Sequence, residues 1–272
     1  MKKRINTLYF SATGTTQKIV SEIANKISDP LDRKIPLNNV DFTLPGARKD
    51  VLSYLEDDLV IIGVPVYAGR VPNVLLKYLN SLQGNGALAV AVVVYGNRNY
   101  DDALVELKDI LELDGFKVIA GGTFIGEHAF SETLAQNRPD EKDRVIAGDF
   151  GQQIYTKLTT QDEIQAVIVN GQIPYRKYYM PKDRQGNPID IRKVTPKTDS
   201  NCTDCKLCVN VCPMGSIDSD DVSQLTGICI KCGACIKKCP THAKYYDDKN
   251  YLRHKYELEM GCTERREPEL FI

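Results

Sequence analysis

Apolar positions in the first part of the chain switch between short continuous runs and helical spacing. Residues 4–10 (RINTLYF) read as a buried strand, and Ile19, Val20, Ile23 and Ile27 then recur at helical spacing, so a helix begins near Thr16. Residues 32–37 are the candidate second strand, against which Pro36 speaks, and residues 47–56 read as a short helix. Leu59 to Val64 is a near-continuous apolar run, as expected of a strand in a parallel sheet covered on both faces. Pro72 suits the first turn of a following helix. Residues 87–95 (ALAVAVVVY) are the fourth strand, with a helix after them through Leu113. Residues 117–125 are the fifth strand, and a helix is predicted at about 141–158. The alternation predicts an α/β fold with a doubly wound, parallel, five-stranded sheet.

A second pattern is made of cysteines. Cys202, Cys205, Cys208 and Cys212 form C-x2-C-x2-C-x3-C followed by Pro213; Cys229, Cys232, Cys235 and Cys239, followed by Pro240, repeat it 27 positions later. Thiolates are soft ligands suited to iron–sulfur clusters. The run is the bacterial two-cluster signature, in which the fourth Cys of each run ligates the other cluster. One [4Fe–4S] cluster would take Cys202, Cys205, Cys208 and Cys239, the other Cys229, Cys232, Cys235 and Cys212. Two zinc ribbons would need two pairs of C-x2-C, and a zinc site often uses His. A disulfide framework needs an oxidising compartment. Residues 198–243 resemble the two-cluster [4Fe–4S] ferredoxin family, with every ligand and both prolines present. The resemblance implies a small α+β domain acting as a low-potential electron carrier.

Between the first strand and helix lies Ser11-Ala12-Thr13-Gly14-Thr15-Thr16. Amides at a helix N-terminus bind phosphate and hydroxyls add donors; such a turn is also an ordinary helix cap. No G-K-[ST] and no G-x-G-x-x-G occurs. The pattern S/T-x-T-G-x-T directly after the first strand resembles the FMN-phosphate loop of flavodoxins. In the flavodoxin-like strand order 2-1-3-4-5, a ligand sits beside strands 1 and 3. The loop Pro65-Val66-Tyr67-Ala68-Gly69-Arg70 has that place. Tyr67 is a candidate to stack on a flavin face, and Gly69 permits a backbone closed to other residues; the plain alternative is a surface turn with a packing Tyr. By position, Tyr95-Gly96-Asn97-Arg98-Asn99-Tyr100-Asp101 resembles the second flavin-flanking loop, with Tyr100 the candidate for the other face. Tyr95 has a second reading as a packing residue. Glu127 and His128 end the fifth strand; His128 is either a hydrogen-bonded structural residue or a group at the flavin edge.

The 272-residue chain carries a net charge of −1, so overall charge points to neither nucleic acid nor a membrane surface. Residues 171–200 carry seven Lys/Arg against three Asp/Glu, which reads as a solvated surface or as a basic linker docking on an acidic face. No stretch approaches the length of a membrane span, and the apolar run after the basic start is too short for a secretory signal. The expected location is the cytoplasm. The expected division is residues 1–160 as an FMN-binding domain, 161–196 as a linker, 197–243 as the cluster domain and 244–272 as a C-terminal tail. Three tyrosines between 175 and 179 read as a strap between domains or one wall of a partner site, and Cys262 as a plain thiol.

The whole resembles fused flavodoxin–ferredoxin proteins. That resemblance implies an electron-transfer protein relaying electrons between FMN, two [4Fe–4S] clusters and redox partner proteins. Two alternatives stand beside it: an FMN-dependent reductase of a small molecule such as a quinone, and a redox-sensing binding protein with structural clusters.

Overall fold

The computed structural model describes residues 4–31 and 35–272. Its elements are β1 (Arg4–Tyr9), α1 (Thr15–Ser28), β2 (Leu37–Asp41), β3 (Asp58–Pro65), α2 (Asn73–Leu79), β4 (Leu88–Tyr95), α3 (Ala103–Leu113), β5 (Lys117–Ile125) and α4 (Glu141–Thr160). There follow β6 (Lys197–Thr198), the short helices α5 (Leu207–Asn210) and α6 (Ala234–Lys237), β7 (Lys244–Tyr245), α7 (Lys249–Gly261) and β8 (Glu269–Phe271). The main sheet has the order β2-β1-β3-β4-β5-β8, and β6 pairs with β7 in a separate ribbon. β1 to β5 run parallel, while β8 is antiparallel to β5.

The pleat sends alternate residues of each strand to opposite faces. Val60, Ile62 and Val64 meet Leu75 and Leu79 of α2 and Leu104, Leu107 and Leu111 of α3. Leu59 and Ile61 face the other way, onto Ile19, Val20 and Ile23 of α1 and Phe150 and Ile154 of α4. A strand covered on both sides must be apolar at every position, and this is the origin of the continuous run in β3 and of its counterpart in β4. Each fully buried Leu, Ile or Val contributes about 1.5–3 kcal/mol. β2, at the edge, is more polar. Thr7 Oγ1 donates to Asn39 Oδ1 at 2.7 Å and Asn38 Nδ2 to Asn6 Oδ1 at 3.1 Å, tying it to β1. α4 starts at a capping box, in which Asp140 accepts from the amide of Asp143 and the Asp143 side chain accepts from the amide of Asp140.

Three expectations are corrected. The second strand lies at Leu37–Asp41, later than residues 32–37, of which 32–34 lie outside the described residues. The short helix expected over 47–56 is a single 3-10 turn at Pro45–Arg48, and beyond it Ser53 makes a lone parallel bridge to Gln83. The main sheet gains a sixth strand, because the chain end returns to β5, pairing Gly121 with Phe271, Gly122 with Leu270 and Thr123 with Glu269.

The return is fastened from the β4–α3 loop. Asn97 is buried, and its Nδ2 donates to the carbonyls of Cys262 at 2.7 Å and Glu264 at 2.8 Å. Its Oδ1 accepts from the amide of Arg266 at 3.1 Å. Arg138 Nη1 donates to the Arg266 carbonyl at 2.7 Å. Replacing Asn97 by Ala removes three hydrogen bonds to the chain end, each worth about 0.5–1.5 kcal/mol. The expected outcome for Asn97→Ala is faster hydrogen exchange over residues 262–271 with β1 and β3 unchanged. Wild-type exchange across the chain end would show that β8 is held by its own pairing alone.

Candidate functional site

The five parallel strands end at one edge, and the loops leaving that edge build the site. After β1, Gly14 takes φ 90° and α1 begins at Thr15. Ser11 Oγ accepts from the Gln17 amide at 3.0 Å, and the Ser11 amide donates to Thr43 Oγ1 at 2.7 Å, which fixes the loop against the end of β2. Among the described residues, the amides of Thr13, Thr15 and Thr16 donate to no protein acceptor. Free amides on the first turn of a 14-residue helix, where the macrodipole is positive, suit a phosphate dianion. The donor set fits the phosphate of FMN without a cation.

After β3, residues 67–70 fold into a tight reversal. Ala68 has φ 53° and Gly69 φ 78°. Tyr67 and Arg70 exchange amide–carbonyl bonds at 3.0 and 3.1 Å, the pattern of a type I′ turn. A Cβ on Gly69 would stand 2.1 Å from Asp101 Oδ2, so the glycine lets the β3–α2 and β4–α3 loops touch. Arg70 makes a bidentate pair with the buried Glu106, both contacts at 2.7 Å, and Glu106 also accepts from the Val71 amide at 2.8 Å. The Arg70 guanidinium lies over the rings of Tyr175 and Tyr178, at 4.6 and 5.0 Å. The tyrosine segment is thus a strap across these loops. Tyr175 donates to Asp109 at 2.5 Å, the Arg176 side chain pairs with Asp102, and the Tyr179 amide donates to the Ala68 carbonyl at 2.8 Å.

The β4–α3 loop is held by the chain end and the strap. Tyr95 and Tyr100 are buried, with ring centroids 5.7 Å apart, and Tyr100 donates its hydroxyl to Glu269 Oε2 at 2.7 Å. The Tyr100 ring is therefore sealed under the returning chain end. Gly96 lies against the His128 ring, Arg98 pairs with Asp101 and stacks over Tyr179 at 4.6 Å, and Asn97 holds the chain end. Of the two aromatic candidates for the flavin faces, Tyr67 is the one left half-buried at the loop edge.

The eight cysteines separate into two quartets. Cys202, Cys205, Cys208 and Cys239 line one cavity; Cys212, Cys229, Cys232 and Cys235 line another. The fourth cysteine of each run has crossed to the other quartet, the exchange that a two-cluster fold makes. The quartets differ in exposure. Cys205 of the first is open to solvent, whereas Cys232 and Cys235 of the second are buried. Burial pushes both of these thiols up to about 12, so metal must displace their protons. Four thiols around each cavity fit a cluster.

The inner quartet is packed against the sheet edge. Tyr67 and Val66 pack on the apolar cluster that contains Cys232 and Ala234. Burial, then the neighbouring Cys232 and Cys229, hold the Tyr67 phenol well above its ordinary pKa. Arg48 Nη2 donates to the Pro213 carbonyl at 2.6 Å while its Nη1 holds the Phe42 and Thr43 carbonyls. Lys237 of α6 pairs with Glu127 and donates to the Ser131 carbonyl at 2.8 Å. A Cβ on Gly233 would stand 2.5 Å from the Ala129 carbonyl, so only glycine allows this approach at φ 75°. Arg48 and Lys237 have no local sequence signal, because each is defined by a partner more than a hundred residues away.

The fold and the cysteine quartets define a flavodoxin-like α/β domain joined to a ferredoxin-type iron–sulfur domain. Residues 201–244 match the family model described as a 4Fe-4S dicluster domain. Protein RdxA of Cereibacter sphaeroides is 38% identical over 95 residues, which are 35% of this chain and 19% of RdxA. The match thus spans about a fifth of the length of that curated relative. Similar solved structures include a flavodoxin from the domain Archaea, at 16% identity over 57% of this chain and 98% of that one, TM-score 0.37. Fusobacterium nucleatum flavodoxin bound to flavin mononucleotide shows 21% identity over 57% and 98%, TM-score 0.36. The apo form of the NADH:FMN oxidoreductase EMOB shows 15% identity over 61% and 95%, TM-score 0.42.

His128 gives the site a pH response. Its Nδ1 accepts from the Phe130 amide at 3.1 Å. Burial, with the charges of Lys237, His254 and Arg98, pushes its pKa down to about 4 from 6.5. Between those values an unfolded chain binds a proton that the folded one refuses, so stability falls as pH drops through the window. His254 is lowered too, by burial first, and adds to the same slope. Thermal unfolding of wild type and His128→Asn from pH 7 to 4.5 should show a shallower loss in the variant. Parallel curves would assign the slope elsewhere.

Proposed function

We propose that the chain is an electron relay that holds one FMN at the sheet edge and two [4Fe–4S] clusters in the cysteine quartets. Bound FMN exchanges one or two electrons, and each cluster exchanges one. The observation that carries the reading is the inner quartet's seat. Cys232 shares an apolar cluster with Tyr67, whose loop flanks the ligand crevice of a doubly wound sheet. The amides and hydroxyls at Thr13 to Thr16 would hold the phosphate. The exposed outer quartet would meet partner proteins of still unnamed identity. Among the described residues no helix is long and apolar enough to cross a membrane, and a cytoplasmic setting that keeps nine cysteines reduced suits the reading.

A second reading has one observation in its favour. A cavity of about 440 Å3, lined by Thr133, Arg138, Glu259 and Arg265, meets the β4–α3 loop at Asn97 and reaches neither Tyr67 nor the Thr13–Thr16 turn. An FMN-dependent reductase would need such room for a small substrate. Quinone reduction that saturates with concentration would favour the reductase, and a strictly linear dependence favours the relay.

Two outcomes are expected of anaerobically purified protein. Metal and flavin analysis should give close to eight iron and eight sulfide with one FMN, from two clusters and one phosphate loop; stoichiometric zinc in protein made with ample iron would overturn the reading. Thr13→Val with Thr16→Val should weaken FMN binding by about 1.5–3 kcal/mol for each hydroxyl bond lost to a charged phosphate, with iron content unchanged. Equal FMN affinity in the double variant would move the phosphate site away from this loop.

A further inference from the structure

β7 ends at Tyr245, and the next residue turns inward. Tyr246 is 9% exposed and lines the cavity of the inner quartet. Its hydroxyl lies 3.7 Å from Cys229 Sγ, within reach of an O–H to sulfur hydrogen bond. The ring is clamped. Tyr251, 2% exposed, packs on it with centroids 4.3 Å apart, and Phe130 of the first domain packs on Tyr251 at 4.8 Å. A phenol is neutral at physiological pH and offers one O–H. A cysteine sulfur bound to iron carries no hydrogen, so in this contact the sulfur accepts and the phenol donates.

We propose that Tyr246 is a positioning residue for the inner cluster, setting its reduction potential through a hydrogen bond from the phenol to the Cys229 ligand. The proposal rests on the electron-relay reading. Reduction adds one electron to the cluster and makes its sulfurs stronger acceptors. A donor fixed on one of them favours the reduced state and raises the potential, one of the levers that set cluster potentials. The outer quartet has its own hydroxyl contact, Thr241 Oγ1 at 3.7 Å from Cys239 Sγ. The two clusters are therefore addressable separately. The Thr241 contact is local, two residues from its cysteine, whereas Tyr246 comes from beyond the repeat and is braced through Tyr251 against Phe130. The inner potential is thereby coupled to how the two domains pack.

The test is an anaerobic redox titration followed by paramagnetic resonance, with the shifted cysteine β-proton lines assigned by NMR to tell the clusters apart. Tyr246→Phe keeps the ring and removes the donor. The expected result is a fall of the inner midpoint alone, by about a tenfold change in its one-electron equilibrium, or about 59 mV. Thr241→Val should move the outer midpoint alone, and Tyr251→Phe, which keeps the clamp, should move neither. An unchanged inner midpoint in Tyr246→Phe overturns the proposal. Equal falls of both midpoints overturn it too, since that would mark general loosening. Iron and sulfide analysis of the wild type, read with the same NMR assignment, separates the two levels: a protein with a cluster in the outer quartet alone overturns the relay reading and this proposal with it.

Discussion

Every strand of the parallel core ends at one edge, and the core cannot close that edge by itself. Burial of both sheet faces spends the apolar residues of β3 and β4 on α1 to α4, leaving polar loop ends where the strands stop. The rest of the molecule is arranged around that opening. The α1 N-terminus keeps three amides free there. The strap of residues 175–179 binds the two loops from outside through Arg70, Asp102 and Asp109. The inner cysteine quartet closes over Tyr67, and the chain end returns along β5 to pin the β4–α3 loop.

The parts that could be read in the sequence are those whose cause is local. β3 and β4 announce themselves because a doubly covered strand has no polar position to spare. The cysteine quartets follow from spacing, since thiolate ligation tolerates few arrangements and the repeat preserves all of them. The β1–turn–α1 unit is visible because strand, hydroxyl turn and helix are consecutive. What escaped depends on distant partners. Tyr100 reads as a free aromatic at a loop end, and its burial is decided by Glu269, 169 positions later. Asn97 reads as one more loop residue, yet it is the knot that holds the chain end. The three residues of β8 are too few to show a period, and only the open edge of β5 gives them a place.

Charge shows the same division. The basic excess of residues 171–200 fits two readings in the sequence, and its inner part is a docking segment. Arg176 reaches the buried Asp102 with its side chain and its amide, and Tyr175 reaches Asp109. Asp102 has no exposure, so its charge needs these donors. Burying an unpaired carboxylate would cost several kcal/mol. The segment's outer part, around Asp190 and Arg192, makes an exposed pair that contributes little. One stretch of sequence with uniform composition thus serves two purposes, and burial of the acceptor separates them.

The unequal exposure of the quartets gives the proposed relay its polarity. Electron exchange between proteins needs close approach to a redox centre, and the outer quartet, with Cys205 open to solvent, permits it. The inner quartet is screened by α6, the β3–α2 loop and the Tyr246–Tyr251–Phe130 stack. On the side of the first domain, Lys237 pairs with Glu127 and Arg48 holds the Pro213 carbonyl. On this reading the crossed ligands matter beyond ligation. Cys212 belongs to the first run yet serves the inner quartet, and the residue after it is the one Arg48 holds. The first domain therefore grips the inner cluster's ligand loop through the backbone, and packing between the domains and the environment of that cluster cannot vary independently.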